Sequence, residues 1–467
     1  MVVRYDAAVI GAGADGLAAA ALLARAGLKT ILLERNERVG GILATTEFCP
    51  GFWAPPFADH VAAIPQELFW ELDLGRRGAL TMVAGGGAEA LLANDLAVRR
   101  LELLKFASEV RAPFPRRGLF AKAPTRPVWP SEDWCIRSLA EIAGSSTEAS
   151  PAQLAASLLD GRSCDPFAAG SAVQALMGIS RYEEPVGGLG VLATALESAT
   201  RAAGAEVKLG LDVTDIKRSR GRVSGICLAD GGEIEARAVV STLDLKRTFL
   251  TLFPWNELPP EVVSRTSQFR MGASRARVLF ALDAPLKGVR PTTHIVSSLQ
   301  SIAEAHANFR DGLLSGNAPV TLRIHRDPRM APKGKTVATA TLSAIPFRLF
   351  DGPWSHEKRE RLCEIALSAA DTVIPGFREH LVGVRVIAPP DIEEELGATE
   401  GDIFGGEIAG DQVFGYRPWL DGSCPRTPFA GLYLAGPSAA AAPYGTCVAG
   451  VLAARALLAD GKSGYLK

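Results

Sequence analysis

The sequence lacks the features that mark secreted, nucleic-acid-binding and membrane-spanning proteins. Its seven cysteines are scattered and form no CxxC pair, so we expect neither a disulfide framework nor a structural zinc site, and a reducing compartment fits best. Neither sign of charge dominates, with 50 Lys and Arg against 51 Asp and Glu, so no net field attracts nucleic acid. The longest apolar runs, 17–23 and 448–458, are shorter than the roughly 20 residues that a membrane-spanning helix needs.

Hydrophobic residues make up 48% of the 467 residues, which is enough to bury at least one large core. The first apolar run, 7–10, leads directly into a glycine-rich turn, so we expect no signal peptide and a cytoplasmic protein. A slightly positive mean hydropathy leaves peripheral membrane contact open, and the composition indicates no oligomeric state. None of the six histidines lies in a close pattern of metal-ligating residues, so we expect no metal.

The clearest motif is the GxGxxG turn at 11–16. It follows the apolar strand 7–10, opens the Ala/Leu-rich helix 17–26, and is followed by a second strand, 30–33, that ends at Glu34. A dinucleotide-binding βαβ unit requires this order. Gly11 permits the tight turn, Gly13 lets the backbone approach a pyrophosphate, and Gly16 lets the helix pack on the strand. Glu34 is placed to accept hydrogen bonds from ribose hydroxyls, while the helix N-terminus attracts the phosphates.

The residues after Glu34 resemble the extended flavin fingerprint of the large FAD-dependent oxidoreductases that include amine oxidases and phytoene desaturases. Arg35 follows Glu34, and the pair Gly40-Gly41 comes shortly after it. Two further segments occur in the family's order, 206–213 and 431–436. The resemblance implies FAD as the cofactor, with the backbone at Val213 contacting the adenine.

Within this group the chain most resembles the phytoene-desaturase-like proteins, the branch named after carotenoid and retinol-saturase-type enzymes. The resemblance covers nearly the whole chain and rests on the order of short segments, among them 187–190, 230–233, 240–244, 325–328 and 411–414. Amine oxidases usually carry arginine directly after the glycine pair, whereas this chain has Ile42. The difference favours the desaturase-like branch.

The chain departs from that branch in the loop that lies over the flavin ring. After Gly436 the branch usually has Thr-His-Pro and a glycine cluster, but an ungapped comparison puts Ala440 where the histidine would be. One hypothesis is a remodelled site with different chemistry; the other is that the loop tolerates change because the flavin carries the redox chemistry. If the loop keeps the family's path, Gly445 and Thr446 present backbone N–H groups to the flavin.

These observations predict an α/β fold. A Rossmann-type FAD-binding domain is expected from the segments 1–80, 181–250 and 400–467, with an inserted mixed-sheet substrate domain from 81–180 and 251–399. The predicted function is an FAD-dependent oxidoreductase of the dehydrogenase or desaturase type, which oxidises a mostly apolar small molecule by hydride transfer to the flavin. The alternatives are an amine oxidase-like or hydroxylating flavoenzyme, or a non-catalytic FAD-stabilised partner or maturation protein.

The sequence identifies no catalytic side chain. The segment 188–193 also fits GxGxx[GA], but no buried strand is predicted before it, so we expect no second nucleotide site there. Without such a site, electrons would leave the flavin for an acceptor other than NAD(P). The predicted cofactor-binding residues are Gly11, Gly13, Asp15, Gly16, Glu34, Arg35, Gly40, Gly41, Val213, Gly436, Gly445 and Thr446.

Overall fold

The computed structural model describes residues 4–62, 64–79, 81–83, 136–144, 150–172, 182–219, 221–272, 274–286, 288–409, 412, 417–418, 424–439 and 446–462. The strands of this part of the chain are β1 (Arg4–Ile10), β2 (Thr30–Leu33), β3 (Thr46–Cys49), β4 (Phe52–Ala54), β5 (Val61–Ala62), β6 (Thr81–Val83), β7 (Tyr182–Pro185), β8 (Glu206–Lys208), β9 (Val213–Ser219), β10 (Arg222–Leu228), β11 (Glu233–Ser241), β12 (Ala276–Leu282), β13 (Thr292–Ile295), β14 (Val320–His325), β15 (Thr336–Leu342), β16 (Leu381–Ile387) and β17 (Leu432–Leu434). The α-helices are α1 (Ala14–Arg25), α2 (Gln66–Glu71), α3 (Leu139–Gly144), α4 (Pro151–Leu159), α5 (Leu189–Ala202), α6 (Pro260–Gln268), α7 (Leu299–Arg310), α8 (His356–Val373), α9 (Pro389–Leu396) and α10 (Val448–Lys462).

The largest sheet has seven strands drawn from distant parts of the chain. Its order is β8-β2-β1-β11-β10-β9, and β17 pairs with the end of β11. The pairs from β8 through β11 are parallel, as is β11 with β17, while β9, β10 and β11 pair antiparallel. Three parts of the chain, 4–33, 206–241 and 432–434, therefore meet in one mixed sheet.

Alternation along the strands sends side chains to two different cores. Val9 and Leu32 join the cluster formed with α1, α5 and α10, whereas Ala8 and Ile31 face the opposite cluster, which contains Phe249. Strands buried on both faces are typical of parallel sheets covered by helices. The α/β fold class predicted from the sequence is confirmed.

A second sheet of five strands has the order β13-β14-β15-β12-β16, and all its pairs are antiparallel. One face packs on α8 through Phe280 and Leu322, among others. The opposite face, which includes Leu279 and Val337, packs into the cluster that contains Leu43 and side chains from the seven-stranded sheet. The two sheets thus share a continuous core, and the limits of the two domains remain a prediction.

In the described ranges, no helix combines the length and the apolar composition that crossing a bilayer demands.

Candidate functional site

The glycine-rich turn between β1 and α1 has the backbone geometry that its sequence predicts. Gly11 has φ +95°, and a Cβ there would lie 2.3 Å from Thr242 Oγ1. A Cβ on Gly16 would lie 1.9 Å from the Gly11 carbonyl oxygen, so helix and turn approach too closely for any side chain. At Gly13, by contrast, no atom lies within 4 Å of the Cβ position. The turn is therefore closed on its inner side and open at Gly13, as a pyrophosphate approaching the backbone requires.

A cavity of about 290 Å³ lies beside this turn. Its walls come from the β1–α1 turn, the ends of β2 and β11, the start of β9, and the segment 396–403. The carboxyl ends of parallel strands are where open α/β sheets bind ligands. Seven of the predicted cofactor-binding residues line the cavity: Gly11, Gly13, Asp15, Glu34, Arg35, Gly41 and Val213.

Glu34 is held in one orientation by backbone donors. Its Oε2 accepts the Ala12 N–H at 2.8 Å, and its Oε1 accepts the Asn36 N–H at 3.0 Å. The residue is 8% exposed and lines the cavity. Because each carboxylate oxygen has two lone pairs, Glu34 retains acceptor capacity for a ligand hydroxyl on the cavity side.

Arg35 lines the cavity, but its guanidinium binds the end of α9, next to the wall segment 396–403. It donates to the Glu394 carbonyl, and Asn36 Nδ2 donates to the Glu395 carbonyl at 3.3 Å. These acceptors lie in the last turn of α9, where unpaired carbonyls and the helix dipole favour a cation. Burial, reinforced by the nearby Arg247 guanidinium, lowers the pKa of Arg35. Arg35 thus ties the Glu34 wall to the segment that closes the cavity.

Asp15 lies where α1 crosses the start of α10. Its Oδ1 accepts the Gly450 N–H at 2.9 Å, and a Cβ on Gly450 would lie 2.0 Å from the Asp15 carbonyl oxygen. Burial raises the pKa of Asp15 to about 6, although hydrogen bonds from the Gly450 and Ala449 N–H groups oppose the shift. The carboxyl group is therefore shared between the cavity wall and the α10 N-terminus.

Three of the other predicted residues support the turn from behind or beside it. Gly40, with φ +116°, donates its N–H to the Ala12 carbonyl at 2.8 Å. Gly436 packs against the end of β11, since a Cβ there would lie 2.3 Å from the Thr242 carbonyl oxygen. Thr446 is buried just before α10. Gly445 and the rest of 440–445, including Ala440, lie outside the described residues.

Sequence reasoning missed the walls formed by 242–252 and 396–403. Asp244 follows β11; its Oδ1 accepts the Arg247 N–H at 2.9 Å and its Oδ2 accepts the Thr399 hydroxyl at 2.8 Å. Residues 247–251 form a π-helical turn, a feature frequent at functional sites. The available signal was a carboxylate just after an apolar strand, at the same sheet edge as the glycine turn.

The second glycine motif, 188–193, makes no comparable opening. A strand, β7, does precede it, but this strand pairs with β5 and β6 in a separate sheet. A Cβ on Gly188 would lie 2.8 Å from Thr45 Oγ1, and the Gly190 N–H donates to the same oxygen at 3.0 Å. Thr45 thus already accepts a backbone N–H that a phosphate would need.

A buried ion pair that sequence reasoning missed joins the loop after β4 to the five-stranded sheet. Asp59 accepts two hydrogen bonds from Arg277 of β12, each 2.5 Å long, and a third from Thr339 Oγ1 at 2.6 Å. Burial alone would raise the pKa of Asp59, but Arg277, together with His325, holds it well below its usual range. This pair fixes the loop after β4 against the five-stranded sheet.

Comparison with known proteins identifies a family and several relatives of this chain. The family described as flavin containing amine oxidoreductase matches residues 16–368, more than half of the chain. The pyridine nucleotide-disulfide oxidoreductase domain-containing protein 2 of Rattus norvegicus is 27% identical, over 93% of this chain and 90% of its own. A neurosporene-forming phytoene desaturase of Rhodobacter capsulatus is 24% identical, over 88% of this chain and 86% of its own.

Among solved structures, the cyclohexylamine oxidase of Brevibacterium oxydans IH-35A superposes with a TM-score of 0.59 at 17% identity, over 98% of this chain and 99% of the other. This likeness concerns the fold. The resemblance inferred from the fingerprint after Glu34 is confirmed, and so is the prediction of an oxidoreductase that uses a flavin. The chain belongs to the flavin-containing amine oxidoreductase family.

Proposed function

We propose that the chain binds FAD in the cavity beside the glycine turn and oxidises a mostly apolar organic substrate as a dehydrogenase or desaturase. The observation that carries the choice of FAD is the extent of the cavity. It continues past the glycine turn to Glu34, Val213 and Leu252. FMN ends at its phosphate and would leave this half empty, whereas the adenosine of FAD reaches it. The cavity therefore supports a dinucleotide.

Each wall then has a role in binding. The open backbone at Gly13 and the N-terminus of α1 would receive the pyrophosphate. Glu34, held by the Ala12 and Asn36 N–H groups, would accept hydrogen bonds from the ribose. The segment 396–403 is held by the bond from Thr399 to Asp244 and, just before it, by the bond from Arg35 to the Glu394 carbonyl; it would cover the dinucleotide and exclude water.

When bound, the flavin supplies the redox chemistry by accepting a hydride. The protein supplies orientation, electrostatics and a dry environment around the ring. A desaturase-type reaction also fits the relative from Rhodobacter capsulatus, whose name denotes desaturation. Ile42 and Ile403 contribute apolar surface to the cavity wall.

The test is anaerobic mixing of the purified holoprotein with candidate substrates while the flavin's visible absorbance is recorded. Phytoene dispersed in detergent and cyclohexylamine are the two probes, and dithionite is the control that reduces any accessible flavin. We expect bleaching with the hydrocarbon and none with the amine. Bleaching with cyclohexylamine alone would favour the amine oxidase alternative. A flavin reduced by dithionite and by neither probe would count against the proposed substrate class and favour the non-catalytic alternative.

A further inference from the structure

The phosphate-binding turn carries an acidic residue where a ligand with negative charge is expected. Residues 11–16 are glycine and alanine except for Asp15, and Asp15 lines the cavity. A pyrophosphate diester is a dianion, so an ionised carboxylate on this wall opposes its binding. Asp15 must therefore either remain charged at a cost to affinity or take up a proton.

The position of Asp15 relative to α10 sharpens this conflict. The first turn of a helix presents unpaired N–H groups and a partial positive charge, which favour anions. In α10 the Gly450 N–H is already donated to Asp15 Oδ1 at 2.9 Å. The two helices cross closely at this point, since a Cβ on Gly450 would lie 2.0 Å from the Asp15 carbonyl oxygen. An ionised Asp15 thus offsets part of the positive charge at the start of α10 and leaves its own negative charge beside the cavity.

The charges around Asp15 favour protonation on binding. Cys447, just before α10, is buried, and burial together with Asp15 raises the pKa of its thiol well above the usual value. Across the cavity the charged groups are Glu34, Arg35, Asp212, Asp244, Arg247 and Asp402. Carboxylates outnumber guanidinium groups in this lining, so a bound dianion adds to an environment that is already negative. Burial raises the pKa of Asp15 to about 6, close enough to neutrality for a bound anion to raise it further.

We propose that Asp15 couples cofactor binding to the uptake of one proton from solvent, an inference that rests on the proposed binding of FAD in this cavity. The neutral carboxyl group keeps an oxygen that accepts the Gly450 N–H and no longer repels the pyrophosphate. No bond forms or breaks apart from this protonation. The consequence is that FAD affinity depends on pH although the pyrophosphate itself does not titrate near neutrality.

The size of the effect follows from linkage. Where binding is coupled to one full proton, the dissociation constant rises about tenfold for each pH unit above the pKa of the free protein. In Asp15→Asn the side chain has the same shape and no charge. This variant should bind FAD with an affinity that does not change with pH and that exceeds the wild-type affinity above about pH 7.

The experiment is equilibrium dialysis of the protein against a series of FAD concentrations, from about pH 5.5 to about pH 8.5. Bound flavin is measured by its visible absorbance. Asp212→Asn is the matched control, because Asp212 lines the same cavity but is exposed. We expect wild type and Asp212→Asn to lose affinity with rising pH along parallel lines, and Asp15→Asn to give a flat line.

A second measurement needs no variant. Calorimetric titration of the wild-type protein with FAD, in two buffers of different ionisation enthalpy, reports directly the number of protons taken up. A value near one supports the proposal, and a value of zero overturns it. A pH dependence that persists in Asp15→Asn overturns it as well. Failure to bind FAD at any pH overturns the proposed cofactor itself, an outcome distinct from pH-independent binding.

Discussion

Replacing Glu34 by glutamine tests the cofactor wall with the smallest change in shape. The carboxylate accepts two backbone N–H groups, from Ala12 and Asn36, and lines the cavity with its remaining acceptor capacity. Glutamine keeps one oxygen but turns an NH2 group toward a donor, so one charge-assisted hydrogen bond is lost inside the protein. Hydrogen bonds to charged groups contribute about 1.5–3 kcal/mol each. We expect the FAD-free protein to lose about that much unfolding free energy in Glu34→Gln.

Glu34→Gln should also weaken FAD binding, in addition to lowering the unfolding free energy. The ribose loses its charged acceptor, which at about 1.5–3 kcal/mol corresponds to a dissociation constant roughly 10- to 150-fold higher. Glu34→Ala, which removes the acceptor entirely, should be weaker still. The assay is fluorescence titration with FAD near neutral pH, alongside urea unfolding without FAD. Glu37→Gln is the control, because Glu37 is exposed nearby and does not line the cavity. Wild-type FAD affinity in Glu34→Gln would refute the assignment.

Three more predictions concern the turn, the buried ion pair and electron flow. Gly16→Ala should lower the melting temperature, since its Cβ would lie 1.9 Å from the Gly11 carbonyl oxygen. Gly13→Ala should keep the wild-type melting temperature and bind FAD more weakly, and equal melting temperatures in the two variants would contradict this reasoning. Asp59→Asn leaves the buried Arg277 without its partner and should cost about 3–5 kcal/mol near pH 7, against almost nothing for the exposed Asp230→Asn. Because the folded-state pKa of Asp59 is depressed, this contribution is present above about pH 4 and is lost as the pH falls. The assay is urea unfolding of wild type and Asp59→Asn at neutral and acidic pH. A difference in unfolding free energy that stayed constant with pH would contradict the reasoning. NADH and NADPH should fail to bleach the flavin in anaerobic stopped-flow mixing, since Thr45 already accepts a backbone N–H of the second glycine motif, and rapid bleaching by either would reveal a nucleotide site elsewhere.

Local patterns predicted the elements of the βαβ unit. The strand predicted at 30–33 is observed as Thr30–Leu33, and the helix predicted at 17–26 is observed as Ala14–Arg25, because the apolar runs define both within the segment itself. The sequence does not indicate the strand Val213–Ser219, because its polar residues alternate incompletely and its pairing with β10 is decided by tertiary contact.

The cavity residues likewise divide into those that one local motif supplies and those that only the fold brings together. Gly11, Gly13 and Glu34 belong to one continuous motif, so their shared position follows from local geometry. Leu396 and Ile403 reach the cavity only because the chain returns to it from the far side of the second sheet. No local pattern encodes that return, so the covering segment became visible only in the folded structure.

The central claim is that the cavity beside the glycine turn holds FAD. The most direct test is to denature the purified protein and identify the released flavin by chromatography against FAD and FMN standards. The account predicts one FAD for each chain in the wild type and a markedly lower content in Glu34→Ala. Release of FMN, or full FAD content in Glu34→Ala, would contradict it.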